Sequence, residues 1–141
     1  MSNININEIV CPVDFSKLSV HALRYAIKLA EQFKSKLFVM HVIPHVTTFS
    51  RTSYYVDENE DMKKICSDEI PKTLDFESEI IKNDEVYDGI VEYAKDKKAD
   101  LIVMGTHGHS SITRALLGSN TEEVTRKATC PVVLIREIDH S

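Results

Sequence analysis

No apolar run in this chain approaches the length of about 20 residues that a bilayer-spanning helix requires, which argues against a membrane span. Cysteine is scarce and odd in number: Cys11, Cys66 and Cys130 are widely separated and form no CxxC pair. That spacing speaks against a disulfide framework or a zinc cluster. Cys11 and Cys130 fall in strand-like runs, where a buried reduced thiol is the plain reading, and a reducing, cytoplasmic setting is expected. Positive charge is also short. Lys and Arg number 17 against 22 Asp and Glu, and the net charge of −5 disfavours broad nucleic-acid or anionic-membrane binding while leaving room for a local cationic pocket. The opening, Met1 to Asn7, has neither a basic n-region nor a long apolar h-region, so a signal peptide is not expected there.

What is present suffices for a packed core. With 43% hydrophobic and 28% charged residues over 141 positions, there is no case for disorder, and the size prior makes residues 1–141 a single domain. Glycine breaks the even spread. The chain has four, and Gly105, Gly108 and Gly118 all stand within one fourteen-residue stretch, with Ser119, Asn120 and Thr121 following the last. Before it lies the apolar strand-like run Asp100–Met104; after it, Glu122–Ala128 reads as helix. Glycines let backbone N–H groups approach an anion closely and adopt positive φ, and a helix start presents orphan N–H groups with partial positive charge. Ser119 and Thr121 add hydroxyls, and Asn120 an amide. The stretch is not a P-loop, since no Gly-Lys-Ser/Thr closes it, nor is Gly105-x-x-Gly108 the dinucleotide fingerprint. A glycine-punctuated turn with an ordinary N-cap is the competing reading.

Along the chain, Glu8–Val13 reads as a buried first strand, and Asp14-Phe-Ser16 as a turn with Ser16 as N-cap. From Lys17 to Lys34, Leu18, Ala22, Tyr25, Leu29 and Phe33 recur at helical spacing, flanked by Ala26 and Ala30. Lys36–Ile43 is nearly continuous in apolar residues, as in a central parallel strand, and Pro44 ends it. Residues 45–57 read as a long loop, and residues 58 to about 73 as a weaker helix with Met62, Ile65 and Ile70 inward. Phe76–Ile81 alternates, suiting a half-exposed edge strand. Asp84 to Lys97 reads as a helix with Asp84 as its N-cap. The strand Leu101–Met104, the glycine stretch, a helix from about Ser119 and a last strand Pro131–Ile135 follow. Strict alternation of strands and helices predicts a parallel sheet covered on both faces.

An open parallel sheet binds ligands beyond the carboxyl ends of its strands, where the strand order reverses. A reversal between the first and fourth strands brings Asp14 beside the Gly105–Gly118 loop. An acid next to an anion loop makes chemical sense if it takes hydroxyls, and a ribose diol is the natural partner, so the pair suggests a nucleotide. His41 reads as a packed histidine, and His21 and His140 as surface residues. His107 and His109 lie two apart, but nothing completes a metal-ligand set with them. Arg114 reads as a solvated arginine, and the pair Leu116-Leu117 as packing the loop back onto the sheet.

The spacing Gly105, two residues, Gly108, nine residues, Gly118, Ser119 resembles the ATP-binding signature of the universal stress proteins. The resemblance extends over the chain: Ile9-Val-Cys-Pro-Val-Asp-Phe-Ser16, His41-Val-Ile43, Met104-Gly-Thr-His-Gly108 and Cys130-Pro-Val-Val-Leu-Ile135 are the other matching blocks. It implies a five-stranded parallel α/β sheet, Rossmann-like, in strand order 3-2-1-4-5. The ligand it implies is ATP, with or without Mg2+. Carried over residue by residue, Asp14 would hold the ribose or the adenine edge, with Pro12 and Val13 beside it. Val42 would meet adenine through its backbone, and Met104 would pack near the nucleoside. Gly105, His107, Gly108, Gly118, Ser119, Asn120 and Thr121 would surround the phosphates. His109 and Ser111 depart from a basic residue and a glycine common in the family. Many members dimerise through the last strand, so a homodimer through residues 131–135 is expected, in accord with the bare edge that strand would present.

The leading functional reading is a cytoplasmic ATP-binding regulator of the stress-response type. A slow ATP hydrolase is the second; no Walker lysine, second metal-binding acid or general base supports it. A dimeric interaction module without nucleotide is the third. A receiver domain shares the alternating order, but Ile80–Asp84 supplies no convincing phosphoacceptor after the third strand and the glycine loop would go unexplained.

Overall fold

The computed structural model describes residues 4–44, 57–108 and 117–137. Within them the order is β1 (Glu8–Pro12), α1 (Lys17–Phe33), β2 (Lys36–Pro44), α2 (Glu58–Glu69), β3 (Phe76–Asn83), α3 (Val86–Asp96), β4 (Leu101–Gly105), α4 (Ser119–Lys127) and β5 (Val132–Ile135). The strands form a five-stranded sheet, β3-β2-β1-β4-β5, with every pairing parallel. The expected order and its reversal between β1 and β4 are therefore present. The expected loop 45–57 lies outside the described residues except for Asp57, which caps α2 by accepting from Glu60 N at 3.1 Å. His109, Ser111, Arg114, Leu116 and His140 also lie outside them.

Period-two alternation along each strand divides the core between the two faces. Ile9, Cys11, Val13, Leu37, Val39, Leu101, Val103 and Ile135 pack under α1 and α2. Val10, Phe38, Met40, Val42, Ile102 and Met104 pack under α3 and α4. The completely buried Cys11 thiol is pushed up by desolvation, which keeps it protonated and unreactive, in accord with the plain reading of a core cysteine, whereas Cys130 is half-buried and precedes β5 instead of lying in it. No described helix is long and apolar enough to cross a membrane.

Three local expectations need correction. The inner face of α1 is centred on Ala22, Leu23, Ala26, Ile27 and Ala30, while Tyr25 and Phe33 are 44% and 47% exposed. Alanines lie innermost because their short side chains let the helix backbone settle close to the sheet, which turns the bulkier residues to the flank. Helix α2 stops at Glu69, not near residue 73, since Pro71 disfavours helical backbone at Ile70, whose φ of −94° and ψ of 122° are extended. Asp84 is not the N-cap of α3: Glu85 holds that position and makes no side-chain cap bond.

Helix α3 approaches β2 closely at its one glycine. A β-carbon on Gly89 would stand 3.0 Å from both methyls of Val42 and 3.1 Å from Asn83 Cβ. Glycine costs a helix interior about 0.5–1 kcal/mol relative to alanine, whereas crowding a packed contact costs about 1–3 kcal/mol. Gly89→Ala is thus expected to lower the urea-unfolding free energy despite its better helix propensity, and Val42→Ala is expected to reverse that sign in the double variant. Stabilisation by Gly89→Ala alone would show that the helix–strand contact is loose.

Candidate functional site at the strand reversal

The β1–α1 turn is built around Asp14. Its Oδ1 accepts from Ser16 N at 3.0 Å and from Ser16 Oγ at 2.5 Å, and its own N–H donates to Ser19 Oγ at 3.2 Å. This is an Asx-type turn, in which a short acid substitutes for a backbone acceptor. Ser16 then caps α1 as expected, Oγ accepting from Ser19 N at 3.2 Å. Between them Phe15 has φ 66°, the left-handed region that a residue with a β-carbon enters at a cost of about 1–2 kcal/mol. Pro12 and Val13 are buried beside the turn, and Val13 N donates to Met40 O at 2.8 Å.

Across the reversal, the glycines of the second loop are needed for space. None of them has positive φ, contrary to expectation. A β-carbon at Gly105 would stand 2.9 Å from Leu18 Cγ, so the missing side chain lets α1 lie against the end of β4. At Gly108 it would fall 2.1 Å from Asp14 Oδ2, which puts the carboxylate directly against the loop backbone. At Gly118 it would lie 3.3 Å from His107 Cα. The Gly118 N–H donates to Thr106 O at 2.8 Å, joining the two ends of the loop.

Helix α4 starts here, with Gly118 in the N-cap position and Glu122 N bonded to Gly118 O at 2.9 Å. The N–H groups of Ser119, Asn120 and Thr121 therefore lie in the first turn, where no intrahelical acceptor exists. The side chains divide differently from expectation. Thr121 is buried, and its hydroxyl donates to Gly105 O at 3.1 Å, tying α4 to the end of β4. Asn120 Oδ1 accepts from Tyr87 N at 3.1 Å, which supplies α3 with the cap its own Glu85 does not provide. His107 turns toward the residues after β5, with Nε2 3.9 Å from Glu137 Oε2 and its side chain 15% exposed. Ser119 is exposed. Leu117 is 42% exposed and does not pack the loop down as expected.

Asp14, Gly105, Gly108, Gly118 and Thr121 thus come together where the strand order reverses. Val42 and Met104 lie in the core layer beneath α3 and α4, with Val42 against Gly89. The sequence reading did not single out Ser16 as the partner of Asp14, Leu18 as the residue filling the space over Gly105, or Thr106 as the acceptor that closes the loop. Ser16 carried a signal in the Asp-x-Ser spacing; Leu18 and Thr106 carried none. Asn120→Ala should lower stability by about 1 kcal/mol, the scale of a lost cap, and Glu85→Ser should recover it by capping α3 locally. Denaturation midpoints for the single and double variants check this; absence of recovery would move the effect away from the cap.

The universal stress protein family profile matches residues 5–136. Universal stress protein MJ0531 of Methanocaldococcus jannaschii is 33% identical over 92% of this chain and 82% of its own length. Universal stress protein YxiE of Bacillus subtilis is 33% identical over 92% of this chain and 99% of its own. Among solved structures, a universal stress protein from Archaeoglobus fulgidus, described in complex with dAMP, superposes with a TM-score of 0.71 at 25% identity, covering 95% of this chain and 100% of that one. With its glycine loop at the strand reversal and a family match over nearly its whole length, the chain belongs to the universal stress protein family.

Proposed function

We propose that this chain is an ATP-binding regulatory protein, one domain over residues 1–141, acting in the cytoplasm. One observation carries the reading: the Asp14 carboxylate meets the Gly108 backbone beside the N-terminus of a nine-residue helix. A carboxylate suits the hydroxyls of a ribose or the amino edge of adenine. A helix start with three N–H donors and a Ser119 hydroxyl suits phosphate. The loop backbone at Gly108 carries no side chain and lies against the Asp14 carboxylate, and backbone free of side chains is what close approach of N–H groups to an anion needs, so the residues present fit the ligand. Pro12, Val13, the Val42 backbone and Met104 complete the nucleoside side, and Gly105 and His107 the phosphate side. Asn120 and Thr121 take part through their backbone N–H groups while their side chains hold the helices. Mg2+ accompanies the triphosphate in this reading. The dAMP described with the Archaeoglobus relative supports an adenine nucleotide as the ligand class.

The test is calorimetric titration of purified protein with ATP. Asp14→Ala is expected to weaken binding by about 1–3 kcal/mol, the scale of a charge-assisted hydrogen bond. Gly108→Ala should weaken it too, because its methyl would displace Asp14 Oδ2 from a carboxylate pinned by Ser16. Since that clash is with Asp14, Gly108→Ala should cost less in the Asp14→Ala background, a coupling that a double-mutant cycle measures. Full affinity in Asp14→Ala would refute the assignment. Turnover of ATP that disappears in the same variants would favour a hydrolase, and wild-type protein without affinity for ATP would favour an interaction module.

The assembly proposed is a homodimer through β5. That strand ends the sheet, pairs with β4 on one side, and carries Val132, Val133 and Leu134 half-buried. An apolar edge invites antiparallel pairing with its own copy. Light scattering at micromolar concentration should report twice the monomer mass, and Leu134→Pro, which removes an N–H on the edge facing away from β4, should return the monomer. A wild-type monomer mass would rule the dimer out.

A further inference from the structure

We infer that His41 is a positioning residue for Asp14, one imidazole fixing the residue before it by a hydrogen bond and the residue after it by ring contact. The inference rests on the nucleotide reading above, in which Asp14 is a ligand group. The register between β1 and β2 ends at Pro12 opposite Met40. The next carbonyl, that of Val13, lies 2.6 Å from His41 Nδ1. A carbonyl can only accept, so Nδ1 carries the hydrogen, and in the neutral ring Nε2 is left as the acceptor. Two residues on, the ring of Phe15 lies 4.7 Å from that of His41, centroid to centroid, tilted by 50°. Phe15 is the residue in the left-handed region, at φ 66°. A conformation of that kind persists only where the surroundings over-determine it.

Asp14 therefore sits between two points held by one side chain of the neighbouring strand. The Ser16 bonds fix its Oδ1, but they are local, within the same turn, and would follow the turn wherever it went. The links to His41 span 28 residues and refer the turn to the sheet itself. They set where Asp14 Oδ2 stands relative to Gly108 on the far side of the reversal. His41 is the residue after Met40, whose carbonyl receives the Val13 N–H, and it precedes Val42, so one short segment of β2 registers both the acid and the backbone assigned to adenine.

Two substitutions separate the hydrogen bond from mere packing. Asparagine can place its Nδ2 donor where His41 Nδ1 stands; leucine fills space without donating. Titration with ATP should show His41→Leu weakened about tenfold, near the upper end of what one buried hydrogen bond contributes, and His41→Asn within about threefold of wild type. Wild-type affinity in His41→Leu, or an equal loss in both variants, would overturn the assignment. If His41→Leu does not fold, the imidazole 15N spectrum of the wild-type protein decides: an Nδ1-protonated neutral ring supports the clamp and an Nε2-protonated one overturns it. That spectrum also keeps the two readings apart, because it tests the clamp even if the wild-type protein shows no affinity for ATP.

Discussion

The architecture depends on the absence of a β-carbon at four places. Every glycine of the chain lies where a neighbour comes close to the place of its missing side chain: α1 at Gly105, Asp14 at Gly108, β2 at Gly89 and, less tightly, the His107 backbone at Gly118. None is needed for a left-handed backbone; among the described residues those conformations fall instead to Phe15, Lys34 and Lys98. Glycine therefore sets distances between layers rather than the direction of turns. With ordinary side chains at these positions, α1 would ride higher over β4, the Asp14 turn would stand off the second loop, and the reversal would open into a gap instead of a site.

The same economy explains why side chains with the chemistry of ligands serve as struts. Thr121 and Asn120 flank the start of α4, where a hydroxyl and an amide could face an anion. The Thr121 hydroxyl goes inward to Gly105 O, and the Asn120 carbonyl goes sideways to Tyr87 N. A short helix packed on a sheet end has few other means of fixing its N-terminus, and the direction of that N-terminus matters more than one additional donor. The backbone N–H groups of the first turn are then held in place by the residues that carry them.

Much of this was legible in the sequence. Strand runs such as Lys36–Ile43 and the helical spacing of α1 and α3 gave the alternating order, and alternation with short connections restricts the topology severely. The placement of Asp14 beside the Gly105–Gly118 loop followed once the strand order was taken to reverse between the first and fourth strands, the order that the family resemblance implies. What could not be read were choices decided by contacts distant in sequence. Whether Asp84 or Asn120 caps α3 depends on how α3 and α4 pack, and nothing in residues 84–87 reveals it. The inner face of α1 was misjudged because periodicity weights large residues, whereas close packing on the sheet selects alanine. The mild label of packed histidine for His41 was correct as to place and silent as to its partner, since the Val13 carbonyl becomes available only where the β1 ladder stops.

The two edges of the sheet differ in kind. Along β3, Glu77 and Glu79 have half-exposed side chains paired with Lys36 and Lys97, so that margin is lined with charge. Along β5 the margin is aliphatic. Charge at a margin resists continuation of the hydrogen-bond ladder into a neighbouring molecule, and an aliphatic margin permits it. A sheet with one permissive side and one guarded side favours a single extension: two copies joined at β5, as proposed, would present guarded margins at both outer ends, which disfavours growth into a fibre.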